Sequence, residues 1–203
     1  MARRRRTAAK PQGVALVLGS ADGVWQEIAA AQALTRFDAV VAVNDMVMFW
    51  PGPLDCAVTL HPEKMRDWLD GRAARRGAPP KRLACHAEWK AWFKELGIPE
   101  TLPLPFDVVA SFAFTGQSDS GSSGLFAVKV ALQELGFAKA VLCGIPMSIE
   151  GAHFRTPDRP WPSAIRHRAG WEQALPHLQG RVRSMSGWTA TLLGTPDAEW
   201  LAS

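Results

Sequence analysis

The stretch from Ser118 to Ser148, SDSGSSGLFAVKVALQELGFAKAVLCGIPMS, constrains the fold more than any other. It opens with small polar residues and two glycines, Gly121 and Gly124. Leu125, Val128, Leu132 and Leu135 then recur at spacings of three and four, with Lys129, Gln133 and Glu134 between them, which predicts an amphipathic helix. Gly136 stops the helix, and Ala140–Cys143 reads as a short buried strand ended by Gly144 and Pro146. The order is polar glycine loop, helix, strand, glycine loop. Unpaired N–H groups and the positive dipole end at a helix N-terminus hold anions. Ser122, Ser123 and Gly124 therefore read either as a phosphate cradle or as an ordinary serine cap after a loop.

The rest of the chain repeats strand and helix in alternation. Val14–Leu18 is a continuous apolar run of the kind found in central parallel strands, and it enters Gly19-Ser-Ala-Asp-Gly23 and a helix with Val24, Ile28 and Ala31 inward. Residues 37–43 form a second strand ending at Asn44 and Asp45, where polar ligand contacts sit in such sheets; a plain turn is the alternative there. Residues 46–53 read as a bulky apolar loop, and residues 55–60 as a third strand ending at His61-Pro-Glu, which suits either a catalytic histidine or a His-Pro turn. An exposed basic helix is expected over 65–77, a fourth strand over 81–85, a short amphipathic helix from Trp89, and a short strand from Val108. Neither a G-x-G-x-x-G nor a Walker ending is present. The pattern predicts an α/β fold: one doubly wound, Rossmann-like, mostly parallel sheet with helices on both faces, spanning residues 13–203 behind a basic tail at 1–12.

After Pro146 the chain turns irregular, and His153, Arg155, Asp158, Arg159, Trp161, Arg166, His167 and Arg168 crowd into sixteen positions. That density of arginine suits an anionic substrate, and the segment is read as a substrate lid over the strand ends. A short helix over 169–178, a strand near 181–185 and a terminal helix complete the reading.

Charge and composition narrow the function classes. The net charge of +4 owes everything to Arg3–Arg6, without which the formal balance is zero. The tail offers a contact for nucleic acid, but a solvated end is the reading favoured. No apolar run approaches a membrane span and no apolar segment follows the basic start, so a cytoplasmic protein is expected. Cys56, Cys85 and Cys143 are far apart, which argues against a disulfide framework or zinc knuckle. With no Asp-x-Asp pair or carboxylate cluster, no metal site is expected.

With these pieces in order, the chain resembles the bacterial sialyltransferase fold and its relative, the 6-hydroxymethylpterin diphosphokinase-like family. Three segments carry the likeness. They are Gly19-Ser20 after the first strand, Val43-Asn44 ending the second, and Ser123-Gly124, Leu135-Gly136 and Cys143-Gly144-Ile145 around the central helix and strand. The family's opening Gly-Asn-Gly-Pro-Ser is Gly-Ser-Ala-Asp-Gly here, and Pro146 replaces the acidic residue after Gly-Ile. The sialyltransferases handle the leaving phosphate with tyrosines, and this chain has none. The resemblance implies a transferase acting on a nucleotide-activated substrate, foremost a glycosyltransferase using a nucleotide sugar. Gly19, Ser20, Asn44 and Asp45 would hold the nucleoside, and Ser122, Ser123 and Gly124 the phosphate. Arg155, Arg166 and Arg168 would neutralise it. His167, at a place similar to the family's catalytic histidine, would be the general base, with His153 second. No cofactor is implied except magnesium under the diphosphokinase-like alternative. A non-catalytic nucleotide-binding accessory module of a phage or mobile element is the third reading.

Overall fold

The computed structural model describes residues 12–203. The tail expected at residues 1–12, Arg3–Arg6 included, lies outside the described residues but for Gln12. Seven short strands form one parallel sheet: β1 (Val14–Leu18), β2 (Ala39–Val43), β3 (Cys56–Thr59), β4 (Leu83–His86), β5 (Val108–Ala110), β6 (Lys139–Cys143) and β9 (Val182–Ser184). Their spatial order is β5-β4-β3-β2-β1-β6-β9. The chain winds outward from β1 to β5, then crosses back to place β6 on the other side of β1. Neighbouring connections therefore diverge between β1 and β6, which opens a crevice at the carboxyl ends of those strands.

The strands are apolar on both faces because both are covered. Ala15, Val17, Val41 and Val58 pack against α5 (Ser122–Lys129) and α6 (Ile165–Leu178), where Phe126 and Trp171 are fully buried. Leu16, Leu18, Ala42 and Cys143 face the other way, against α1 (Val24–Leu34), α2 (Met46–Phe49) and α3 (Met65–Ala74). The doubly wound α/β arrangement expected from the sequence is the fold observed. The three cysteines are buried among these layers, and burial pushes the thiols of Cys56 and Cys85 up to about 12 and that of Cys143 higher still.

Several elements differ from expectation. The apolar segment after Asp45 contains a helical turn, α2, because its carbonyls are gathered by a side chain from α3. Arg72 is 1 % exposed and donates to Val47 O, Trp50 O, Gly52 O and Ala78 O at 3.1, 2.5, 2.7 and 2.5 Å. The helix over 65–77 thus buries one of its basic residues. The central helix begins at Ser122 and widens to π geometry over Val130–Glu134, with Leu135 N donating to Val130 O at 2.9 Å. Lys129 turns inward there and donates to Ser111 O at 2.7 Å. The irregular segment after Pro146 holds an antiparallel hairpin, β7 (Ala152–His153) and β8 (Thr156–Pro160). The helix expected from Ala169 starts at Ile165, so Arg166, His167 and Arg168 form its first turn instead of a loop. α4 (Trp89–Leu96), α7 (Gly187–Leu193) and α8 (Ala198–Ala202) complete the chain. Among the described residues no helix is long and apolar enough to cross a membrane.

Candidate functional site

Two glycines set the floor of the crevice. Gly19 follows β1 and Gly144 follows β6, and their backbones touch. A Cβ on Gly19 would lie 2.3 Å from Gly144 O, and one on Gly144, whose φ is 68°, would lie 2.6 Å from Gly19 O. Gly19 N donates to Cys143 O at 2.8 Å and Ala21 N to Gly144 O at 3.1 Å, locking the two turns together. Glu27, from the first turns of α1, reaches under both and accepts from Gly144 N at 2.7 Å and from Ser186 Oγ. Burial raises the pKa of its carboxyl.

Above this floor lies a cavity of about 400 Å³. Gly19, Ser20, Asn44, Ser122, Ser123 and Gly124, all named from the sequence, line it together. Among the described residues four non-glycine positions have left-handed backbone, and Asn44, Ser122 and Met147 are three of them, at φ 53°, 74° and 46°. All three line this cavity. Such backbone is costly for a side-chain-bearing residue and collects at binding and catalytic sites.

The hydrogen bonds fix which groups face the space. Thr59 Oγ1 accepts from His61 N at 2.7 Å, so its one proton goes to Asn44 Oδ1 at 2.9 Å. The amide oxygen of Asn44 is thereby committed, and its Nδ2 group has no protein partner among the described residues. At the start of α5, Ser122 Oγ accepts from Gly124 N at 3.2 Å and Ser123 Oγ accepts from Leu60 N at 3.4 Å. The Ser122 hydroxyl therefore acts partly as an ordinary serine cap. A Cβ on Gly124 would come within 2.8 Å of Ile145 Cγ2, so the bare backbone answers to core packing as well as to the cavity.

The hairpin forms one wall. Phe154 N donates to Ser20 O at 3.0 Å and Asp22 N to Ala152 O at 2.8 Å, which dock β7 on the turn after β1. His153 sits at the joint. Its Nδ1 accepts from Arg155 N at 3.1 Å, so Nε2 carries the proton and donates to Asp45 Oδ2 at 2.7 Å. Both ring nitrogens are engaged, and Asp45 meets the hairpin instead of the cavity.

The arginines separate. Arg155 is exposed with its guanidinium 5.1 Å from the Phe49 ring, and Arg166 is exposed; neither lines this cavity. Arg168 turns back to donate to Met147 O at 3.0 Å and lies over Trp188. Arg159 is the arginine that lines the cavity. The sequence placed it in the arginine-rich cluster but gave it no role.

A second cavity, of about 450 Å³, adjoins the first through Asn44, Ser122, Ser123 and Trp161. His167 lines it, held by a contact of 3.2 Å between Nδ1 and Ser120 O and by the Trp161 ring at 5.5 Å. A carbonyl only accepts, so Nδ1 carries the proton and Nε2 keeps its lone pair. His61 lines this cavity too, beside His86, Glu88 and Trp92, which sequence reasoning did not single out. Burial lowers the pKa of both His61 and His86, against the pull of Glu63 and Glu88. Among the described residues no three His, Cys, Asp or Glu side chains are grouped to hold a metal ion.

No family model matches the chain, and no curated protein matches it in sequence. Among solved structures it is similar to a crystal structure of a variant of the sialyltransferase CST-II in complex with CMP. The two superpose with a TM-score of 0.53 over 92 % of this chain and 88 % of that one, at 11 % identity. At that identity the likeness is one of fold.

Proposed function

We propose that the protein is a transferase that takes a sugar from a nucleotide-activated donor seated in the first cavity. The observation that carries this reading is the meeting of the Asn44 amide, the opening of α5 and three left-handed residues at the β1/β6 crevice. A sialyltransferase fold solved with CMP adds support at the level of fold.

In this reading Asn44 Nδ2 donates to the nucleotide. The positive end of α5 and Arg159 draw the phosphate. The Asp45–His153 contact is a positioning contact that holds the hairpin against the donor. His167 is the base. The acceptor hydroxyl enters from the second cavity and gives its proton to His167 Nε2 as its oxygen bonds to the anomeric carbon. The sugar–phosphate bond breaks, and its electron pair leaves on the nucleotide phosphate. Charge developing there faces donors already in place, which is where such sites lower barriers most.

Thermal unfolding with a panel of nucleoside mono- and diphosphates tests the donor site. A bound nucleotide at a hundred times its Kd adds about 2.7 kcal/mol of stability. At 2–4 °C per kcal/mol that is roughly 5–10 °C for a chain of this size. His167→Ala is expected to lower turnover by about 10²–10⁴ with nucleotide affinity unchanged. A panel without a single stabilising nucleotide overturns the reading.

A further inference from the structure

The two adjoining cavities carry opposite charge. Among the described residues Arg159 lines the first and no carboxylate does, whereas Glu88 and Glu95 line the second and no lysine or arginine does. The second lies at the carboxyl ends of β3 and β4, where ligands bind in sheets of this kind.

Its buried polar atoms are incomplete. His86 is 6 % exposed, its Nδ1 lies 3.6 Å from Glu88 Oε2, and its Nε2 has no hydrogen-bond partner among the described residues. His61 Nδ1 lies 3.3 Å from Glu63 Oε1 without hydrogen-bond alignment, and Glu63 Oε2 and the indole N–H of Trp92 are also unpaired. Three of the six unpaired buried side-chain atoms among the described residues thus belong to residues lining this cavity, and a fourth to Glu63, which stands beside His61 without lining it. Buried polar groups are nearly always satisfied, so a local concentration of orphans marks a place completed by something bound. Burial disfavours the cationic form of both imidazoles, against the pull of Glu63 and Glu88. The rings of Trp92, Phe112 and Trp161 supply flat apolar faces with negative potential.

We propose that the second cavity binds a cationic, hydroxyl-bearing ring, of the amino-sugar class, as the acceptor that the transfer reaction uses. The ammonium group pairs with Glu88 and Glu95, hydroxyls complete the His86 and His61 ring nitrogens, and the ring lies on indole. An acceptor bearing a carboxylate or phosphate meets two like charges and no counter-ion, which excludes it. The role as acceptor rests on the transferase reading; the ligand class does not.

The test is a binding titration that needs no turnover. The indole N–H resonance of Trp92, assigned with Trp92→Phe, is followed on the full chain at fixed ionic strength. The probes are glucosamine, N-acetylglucosamine and glucuronate, and nucleotide binding is measured separately. Glucosamine is expected to shift the resonance saturably and bind most tightly, with glucuronate leaving it unmoved. The exposed-side substitutions Glu88→Gln and Glu95→Gln together should weaken glucosamine about tenfold, equivalent to about 1.4 kcal/mol. The ligand class stands if glucosamine binds in this way even where no nucleotide does, which would leave only the transferase reading in error. Equal binding of N-acetylglucosamine, binding of glucuronate, no shift with glucosamine, or insensitivity to the double substitution overturns the proposal.

Discussion

Arg72→Met is expected to destabilise the protein by about 3–5 kcal/mol, and the reason lies in what the guanidinium touches. Among the described residues it is buried with no carboxylate partner, and its hydrogen bonds go to four backbone carbonyls, of Val47, Trp50, Gly52 and Ala78. A hydrogen bond to a charged group is worth about 1.5–3 kcal/mol net, which sets an upper bound well above the expected loss. Two corrections lower it. Water reaches the half-exposed turn at Trp50 and Gly52 once the side chain is gone, and the buried cation no longer has to be desolvated, a cost visible in its lowered pKa. The exposed Ala78 O is served by water in the same way, Val47 O remains poorly served, and the apolar stem of methionine retains most of the packing. At 2–4 °C per kcal/mol the midpoint of thermal unfolding should fall by roughly 10 °C. Arg72→Lys should recover less than half of that, because one ammonium cannot span carbonyls that a planar fork reaches together. The assay is calorimetric or circular-dichroism melting of the three proteins. A midpoint for Arg72→Met within about 2 °C of the parent would refute the reasoning and mean that these carbonyls find other partners.

Gly124→Val should cost about 1–3 kcal/mol by overpacking against Ile145, in addition to blocking the first cavity, whereas Ser122→Gly should keep stability and weaken nucleotide binding; equal melting of Gly124→Val and parent contradicts the packing argument. Because burial lowers the folded pKa of His86 below 6.5, the unfolded chain binds more protons in the window just beneath that value, and stability should fall as pH drops through it. His86→Phe should flatten that slope in urea titrations at several pH values, and an unchanged slope removes His86 from the account. Glu27 has the opposite sign: its folded pKa is raised above 4.5, so ionisation costs stability as pH climbs through the folded value, and Glu27→Gln should abolish this fall.

What the sequence made legible were the central strands. VALVL and AVVAV are continuous apolar runs bounded by glycine, aspartate or asparagine, AVLC is a shorter one between Lys139 and Gly144, and burial on both faces leaves no other pattern for them. The first cavity was legible for the same reason, since Gly19, Asn44 and Gly144 stand directly after those runs. The hairpin over Ala152–Pro160 was not, because β8 reads Thr-Pro-Asp-Arg-Pro and its pairing depends on docking against Ser20 and Asp22. Nor was the buried role of Arg72, whose partners are carbonyls and leave no trace in residue type. His86 and Glu88 escaped notice because the second cavity joins the ends of β3 and β4, and no local motif links His61 to a histidine twenty-five residues later. The early start of α6 follows from the helical turn at Pro162–Ala164 that leads into it, which the polar run Arg166-His167-Arg168 concealed.

Calorimetric titration of the parent and of Asn44→Ala with CMP and the other nucleoside monophosphates tests the central claim most directly. The account predicts saturable binding of at least one nucleotide to the parent. It also predicts a loss of about tenfold or more in Asn44→Ala, which removes a donor that the Thr59 hydrogen bond turns towards the cavity. Binding that is equal in the two proteins, or absent from the parent for every nucleotide offered, would contradict it.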